Sequence, residues 1–449
     1  MKTFQDFEKL TSEEQRKSFI LEAINEHKSS SNYKTAKEAG EYDRQLNTEI
    51  MKYQKYLKNL QGGKIADIFA PNNKIASNFF NQFTNQENQY ELSNGVDWSE
   101  DENADEIAEK LGAKFDTQLQ KGGKNALLGG TSYGFFNNGK LLFFGVTEFV
   151  PLIDELNGEL RAGIRFWQLD NEKPLMITLY EEDGVTEYSG NSKELKATKE
   201  KMAYITITEA TKVSESIKET KNYSRLPIIP LYSGQHHDSR LVGMKNTIDL
   251  YDRIFSEFGN DFDRYQQIYW VFKNCGGMDG DDIQEFITSM KVFGGAKAGD
   301  DDDSDATAHT IEIPYQARQI ALDMLEKRMY KDYGAIDISN LSSNATQDEI
   351  NSKYLPLDLK VDEFEYCIIE FLEKLLGMLG LENINPKFHR DKMESEKNKV
   401  DLNLNKAQTK QIETQMLLTL DSYLDDETFI KMLINSDIID EADLIEMEK

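Results

Sequence analysis

With 449 residues the chain is long enough for about two to four domains. Its hydrophobic fraction of 39%, with 24 Phe and 20 Tyr, can build substantial cores and excludes a disordered chain. Against 52 basic residues stand 80 acidic ones, a formal charge of −28. Such a field repels phosphates over about 8–10 Å at ordinary salt and argues against a basic patch that grips nucleic acid.

The first segment, residues 1 to about 60, is polar and helical in pattern. Thr11-Ser12-Glu13-Glu14 is a capping signature, followed by Phe19, Ile20 and Ile24 at helical spacing. The start is charged and shows no apolar signal segment. The two cysteines, Cys275 and Cys367, lie far apart in unlike contexts, so neither a disulfide framework nor a zinc site is expected and a reducing cytoplasm fits. No run approaches the ~20 apolar residues that span a bilayer, and no membrane partner is expected. Asn72-Asn73-Lys74-Ile75 leads into FFNQF, a further helix. DENADEIAEKLGAKFDTQLQKGGKNALLGG reads as a third, with acids first and lysines last, as the macrodipole favours. From Thr131 the period changes. A hairpin turns at Asn137-Asn138-Gly139, and LRAGIRFWQL, LMITLYEED, TEYSG and AYITITEATK follow as antiparallel strands. These segments make an α+β domain ending near Leu226.

Beyond the proline-bracketed strand PIIPL, a helix starts near Asp238 or Ser239. It carries Leu241, Met244, Ile248, Tyr251, Phe255 and Phe258 at alternating three- and four-residue steps. That is one narrow apolar seam, able to pack within a chain or between subunits. Gly259-Asn260 predicts a break or kink. IYWVF reads as a strand, DDIQEFITSMKVF as a short helix plus strand, and TIEIP as a returning strand. The loop GGAKAGDDDDSDAT between them is expected to be exposed, because its crowded aspartates repel one another. A second helix follows Pro314, with Ile320, Met324 (or Leu325) and Met329 at apolar spacing and Gly334 as its stop. IDISNLSSNATQDEINSKY reads as a polar loop, and a long loop between helices is a functional candidate. LDLKVDEFEYCIIEFLEKLLGMLGL is apolar around most of its circumference, the mark of a long helix buried among neighbours. Residues 382–410 fit strand or helix equally, and the end reads as two or three short helices.

Motifs for chemistry are weak. KGGKNALLGGTSYG lacks the GxxxxGK[ST] order and precedes a strand, so it is read as a helix end and turn. His236-His237-Asp238 has no third histidine or cysteine close by in sequence to complete a metal site. The aspartates at 300–303 and 305 lack the calcium-loop pattern. Neither a GxSxG elbow nor a plausible Cys–His pair occurs. No catalytic residue, metal or cofactor is expected.

Five segments carry a resemblance in order and spacing. They are Pro227-Ile228-Ile229-Pro230-Leu231; the seam helix with Ile248-Asp249-Leu250-Tyr251-Asp252; Gln266-Gln267-Ile268-Tyr269 with Val271-Phe272-Lys273-Asn274; Ile311-Glu312-Ile313-Pro314; and the helix with Ala317, Leu325 and Tyr330 that closes at Ala335-Ile336-Asp337. Together they resemble the portal proteins (head-to-tail connectors) of tailed bacteriophages, of the long-tailed type with Gram-positive hosts. Outside this region the similarity is one of element order.

The resemblance implies a structural protein and not an enzyme. It implies an α+β portal fold with a wing at 1–235, a first stem helix at 236–262 and an α/β clip at 263–313. A second stem helix at 314–335, a tunnel loop at 336–353, a return to the wing at 354–405 and a helical crown at 406–449 complete it. The implied assembly is a ring of about twelve subunits at one capsid vertex of the virion, made in the host cytoplasm. Its implied partners are the terminase large subunit as packaging motor, the major capsid and scaffolding proteins, and a head-completion or adaptor protein. Double-stranded DNA would pass through without sequence specificity in packaging and ejection.

Leu241, Met244, Ile248, Tyr251, Phe255 and Phe258 would pack the stem, so Ile248→Asp or Tyr251→Asp is expected to disrupt the ring. Asp300, Asp301, Asp302 and Asp303 would form the partner surface of the clip. The loop has no Lys or Arg over 336–352, so any contact with DNA would come from Ser339, Asn340, Ser342, Ser343, Asn344 and Thr346. The alternative reading is another ring protein of the phage head or neck.

Overall fold

Helix caps written into the sequence start the fold. Thr3 and Ser12 cap α1 (Phe4–Glu8) and α2 (Glu13–Ser29), each in a reciprocal capping box. Ser30 Oγ accepts from Tyr33 N to open α3 (Ser31–Asp43). Then come α4 (Thr48–Lys52), the small hairpin β1 (Tyr56–Lys58) and β2 (Lys64–Ala66), α5 (Phe79–Leu92) and β3 (Val96–Asp97). The computed structural model describes residues 2–58, 63–67, 70–170, 172–191, 194–210, 215–265, 269–273, 279–293, 305–309, 315–337 and 346–392, with 408 and 411. The helix expected across residues 101–130 is two, α6 (Ala104–Leu111) and α7 (Phe115–Gly129). Gly112 stands between them at φ +80, where a side chain would be strained, and a Cβ there would come within 2.8 Å of the Gly139 carbonyl.

The strand region follows as β4 (Thr131–Asn137), β5 (Lys140–Gly145), β6 (Phe149–Ile153), β7 (Leu160–Trp167), β8 (Leu175–Glu181) and β9 (Gly184–Gly190). After them run β10 (Leu195–Met202), β11 (Ile205–Ala210), β12 (Glu215–Lys221) and β13 (Ile228–Tyr232). Asn137 pairs with Lys140 across the β4–β5 turn, and Asn138 and Gly139 take the positive φ values a two-residue hairpin requires. The meander closes as an antiparallel sheet in the order β10-β9-β8-β7-β6. The proline-bracketed strand, β13, returns to pair with β4 and makes the sheet β13-β4-β5. Two readings change here. AYITITEATK is one arm of the hairpin β11–β12, and the polar strand β10 was not anticipated. An edge strand needs few apolar residues, since backbone pairing to β9 on one side holds it.

The second half holds α8 (Lys245–Tyr265), β14 (Tyr269–Lys273), α9 (Gly280–Phe293), β15 (Asp305–His309), α10 (Tyr315–Tyr333), α11 (Gln347–Met378) and β16 (Lys387–Phe388). Here the structure corrects several expectations. The seam helix begins at Lys245, because Gly243 at φ +90 cannot continue a helix and residues 241–245 make tight turns instead. It runs through Gly259-Asn260 without ending, since the Asn260 side chain is occupied by the Asn73 N–H and does not compete with its own backbone. DDIQEFITSMKVF is helical throughout, started by Asp279, whose Oδ1 accepts from Asp281 N and Asp282 N. The partner of β14 is Asp305–His309, not TIEIP, and residues 310–314 lie outside the described set.

The expected tunnel loop 336–353 also shortens. Thr346 Oγ1 accepts from Glu349 N, and Gln347–Lys353 forms the first turns of α11. Residues 382–410, left open between strand and helix, include β16, which pairs with β3.

The chain divides into two units, one of residues 1–335 and 360–389, the other of 336–359 and 390–449. In the first, α7, β4, β5, β13 and the part of α11 from Phe364 share one core. A second core joins α2 to the five-stranded sheet, and a third gathers aromatics between the sheets. A fourth joins α3, α5, α8 and α10. Of the second unit, the described residues include the start of α11, where Lys392 bonds Asp358 at 2.7 Å. The expected circumferential burial of the long helix is not found. Leu359 and Tyr366 are exposed, while Phe364, Ile368, Leu372 and Leu375 are fully buried.

Candidate assembly surface and polar clamp

The seam of α8 divides along its length. Leu241, Met244 and Ile248 are buried in their own chain, in one cluster with Met329 and Tyr333 of α10 and Phe80 and Phe83 of α5. Tyr251 is half-buried and packs edge-on against Phe79. Phe255 is exposed and stacks on Tyr251, and Phe258 lies tilted against exposed Phe262. The buried line does not follow those aromatics. It continues from Ile248 in steps of four through Asp252, Ser256 and Asn260, each within 1% of full burial.

These polar side chains hold the segment 73–77. Asp252 accepts from Asn47 Nδ2 at 2.5 Å and Ser77 N at 2.9 Å, Ser256 Oγ accepts from Ile75 N at 2.9 Å, and Asn260 Oδ1 accepts from Asn73 N at 2.6 Å. Burial raises the Asp252 pKa, while the hydrogen bonds from Asn47 and Ser77 pull it back. The seam reading missed this stripe because a polar residue at a four-residue step looks like solvent-facing helix. The only signal was the regular spacing of three short polar side chains.

α10 lies antiparallel to α8. Arg318 at its start bonds Asp261 near the end of α8 at 2.5 Å, and Met329 and Tyr333 at its end share the core with Ile248. Its buried residues are Leu322, Met329 and Tyr333, whereas Ile320 and Met324 of the expected seam are exposed. α8 and α10 thus leave an outward set of apolar side chains, Leu250, Phe255, Phe262, Ile320 and Met324.

Where α8 is entered and α10 ends, four elements meet over one buried carboxylate. Glu87 of α5 is fully buried; its Oε1 accepts from Arg240 Nε at 3.1 Å and from the Arg240 terminal nitrogen at 2.7 Å. Its Oε2 accepts from the Tyr333 hydroxyl at 2.5 Å, and Arg240 also donates to the Ser233 carbonyl. Burial works against the Arg240 charge, but Glu87, Tyr333 and Glu363 outweigh it and keep the guanidinium above its usual pKa. Burial, then Glu87, pushes the Tyr333 hydroxyl far above its usual range. A cleft of about 500 Å³ opens beside the cluster, lined by His236, His237, Asp332, Lys360 and Glu363 among others. None of these roles was anticipated, because one acid among many carries no mark in the sequence.

The motifs weighed for chemistry have structural roles. Gly122 and Gly123 lie inside α7, where a Cβ would meet Phe143 at 2.5 Å or Asn88 at 2.4 Å, so they serve close packing. Lys124 pairs with Asp43 at 2.8 Å and bonds Thr84 and Asn85. His237 stacks on Tyr232 with centroids 3.6 Å apart. Among the described residues no group of three or more His, Cys, Asp or Glu could hold a metal ion. No described helix is long and apolar enough to cross a membrane. Of the loop residues named for the channel, Thr346 caps α11, while Ser339, Asn340, Ser342, Ser343 and Asn344 lie outside the described residues, as do Asp300, Asp301, Asp302 and Asp303.

The family model described as phage portal protein, SPP1 Gp6-like, matches residues 27–449. The chain belongs to this portal family. A portal protein of Clostridium phage phiCD119 is 28% identical over 200 residues, 42% of this chain and 44% of the relative. The portal protein of Bacillus phage SPP1 is 31% identical over 145 residues, 32% of this chain and 28% of the relative. The chain therefore spans less than half the length of either curated relative. Portal proteins are structural components of the virion capsid, and the α+β fold is the one this family member shows.

Proposed function

We propose that the chain is the portal subunit of a tailed phage. It assembles into a ring of about twelve copies at one capsid vertex, with a central conduit for double-stranded DNA in packaging and ejection. The observation that carries this reading is the family match over residues 27–449. The wing is residues 1–235, the stem helices α8 and α10, the clip the segment between them, the tunnel loop 336–346 and the crown 406–449. The ring docks a terminase large subunit as motor, capsid and scaffolding proteins around it, and an adaptor below; nucleotide hydrolysis belongs to the motor.

Two features support the reading. The outward apolar side chains Leu250, Phe255, Phe262, Ile320 and Met324 suit contacts that close around a ring. A chain of formal charge −28, repeated around an axis, makes an acidic conduit in which phosphates find no fixed register. The test is to purify the full chain and image it by electron microscopy beside light scattering. Rings of about twelve around a duplex-wide channel are expected. A chain that stays monomeric at high concentration, or hydrolyses nucleotide alone, overturns the reading. Rings without a duplex-wide channel would favour another head or neck ring protein.

A further inference from the structure

The chain leaves its first unit after Ala335 and re-enters it at Lys360. The residues at these two crossings are bound to each other. Lys360 Nζ donates to the Tyr333 carbonyl at 2.8 Å, across 27 positions, and the same ammonium sits 3.6 Å from the centre of the Tyr333 ring. Tyr333 is thus held at three points: its carbonyl by Lys360, its ring face by the cation, and its hydroxyl by Glu87. Just after it, Gly334 at φ +83 ends α10, with Gly334 N and Ala335 N both bonded to the Tyr330 carbonyl. On the return side, Pro356 inside α11 has no N–H for the Ser352 carbonyl, so the helix lacks one rung one turn before Lys360.

We propose that Glu87, Arg240, Tyr333 and Lys360 form a polar clamp that closes the base of the excursion 336–359 and fixes where it leaves and rejoins the first unit. A side-chain contact that joins the two ends of the excursion removes end-to-end freedom much as a cross-link does. The clamp is anchored rather than floating, since Glu87 is fixed in α5 and Arg240 bonds the Ser233 carbonyl. Charge-assisted bonds in a buried setting give it strength and geometry. The excursion contains the loop assigned above to the DNA channel. On that reading, on which this role in the ring rests, the four residues are positioning residues for the channel loop and do not themselves touch DNA.

The test is amide hydrogen exchange on the full chain, comparing peptides that cover residues 346–359 with peptides from β4 and β5. Tyr333→Phe removes one hydroxyl and leaves the fold's volume unchanged. It and Lys360→Met are expected to speed exchange in 346–359 by about fivefold to tenfold, the loss of one charge-assisted bond, with β4 and β5 unaffected. Lys360→Arg, which keeps a cation over the ring, is expected to retain most of the protection. The exposed pair variant Lys374→Met serves as the control and is expected to change nothing.

Unchanged exchange in 346–359 for both Tyr333→Phe and Lys360→Met overturns the clamp. Equal acceleration in β4 and β5 does so too, because it would mark general destabilisation. Electron microscopy of the same samples separates the two ideas. Absence of rings in the unaltered protein counts against the portal reading alone, whereas intact rings with unchanged exchange count against the clamp alone.

Discussion

At the scale of single residues, charge burial decides most. Lys360 is held by burial at a pKa of about 8, below its ordinary 10.5, with Glu87 opposing the shift and Arg240 adding to it. A base with a depressed folded-state pKa binds fewer protons when folded than when unfolded between those two values. Stability from this site therefore rises with pH from about 8 to about 10.5 and is flat below. The unfolding free energy of the native chain minus that of Lys360→Met should climb across this window, by up to about 3 kcal/mol. Urea unfolding of both proteins at about pH 7 and about pH 10 measures it, and a difference that falls with pH would contradict the sign.

Arg240→Ala should cost about 3–5 kcal/mol, because it strands the Glu87 carboxylate, which is fully buried. Replacing an exposed partner such as Lys374 should cost under about 1 kcal/mol, and thermal melts compare the two. Neither Glu87 nor Arg240 was legible in the sequence. Eighty acidic residues make any one of them anonymous until the fold shows which one lies in the core.

At the scale of elements, the helices α8 and α10 separate folding from assembly. Ile248 lies in the core of its own chain, so Ile248→Asp should unfold the subunit, at a cost above about 4 kcal/mol, before ring formation is in question. Phe255 is exposed, so Phe255→Asp should melt like the native chain and yet form no rings, read by calorimetry and light scattering. If the reverse holds, the outward face is not the contact between subunits.

The polar stripe has its own consequence. Asp252→Ala removes the acceptor of the Ser77 N–H and one of the two acceptors of the Asn47 amide, which keeps the Ser77 carbonyl, and should cost about 2 kcal/mol and expose residues 73–77 to proteolysis. Alternating three- and four-residue steps correctly marked an apolar helix, but not which side it buries. Hydrogen bonds from a distant loop turned the buried line towards Asp252, Ser256 and Asn260. The start of α11 was legible and overlooked, since Thr346-Gln347-Asp348-Glu349 is a capping pattern hidden within a polar run.

At the scale of the whole molecule, the chain belongs to the phage portal family, and on the function proposed above its formal charge of −28 sets how a ring of it would meet DNA. Rings of this protein should bind linear duplex no more tightly than about 10⁻⁴ M at physiological salt, and binding should fall further as salt rises. A titration by fluorescence anisotropy tests this, and micromolar retention would mean that basic residues converge somewhere on the ring. The sequence by itself determined the α+β class, the order of helices, meander and helix pair, and the family, because period, caps and turn residues act over a few neighbours. Only the tertiary structure decided which seam residues face inward, that segment 73–77 rides on α8, and that Tyr333 and Lys360 meet. Those outcomes depend on desolvation and pairing between residues far apart in the chain, which no local pattern records.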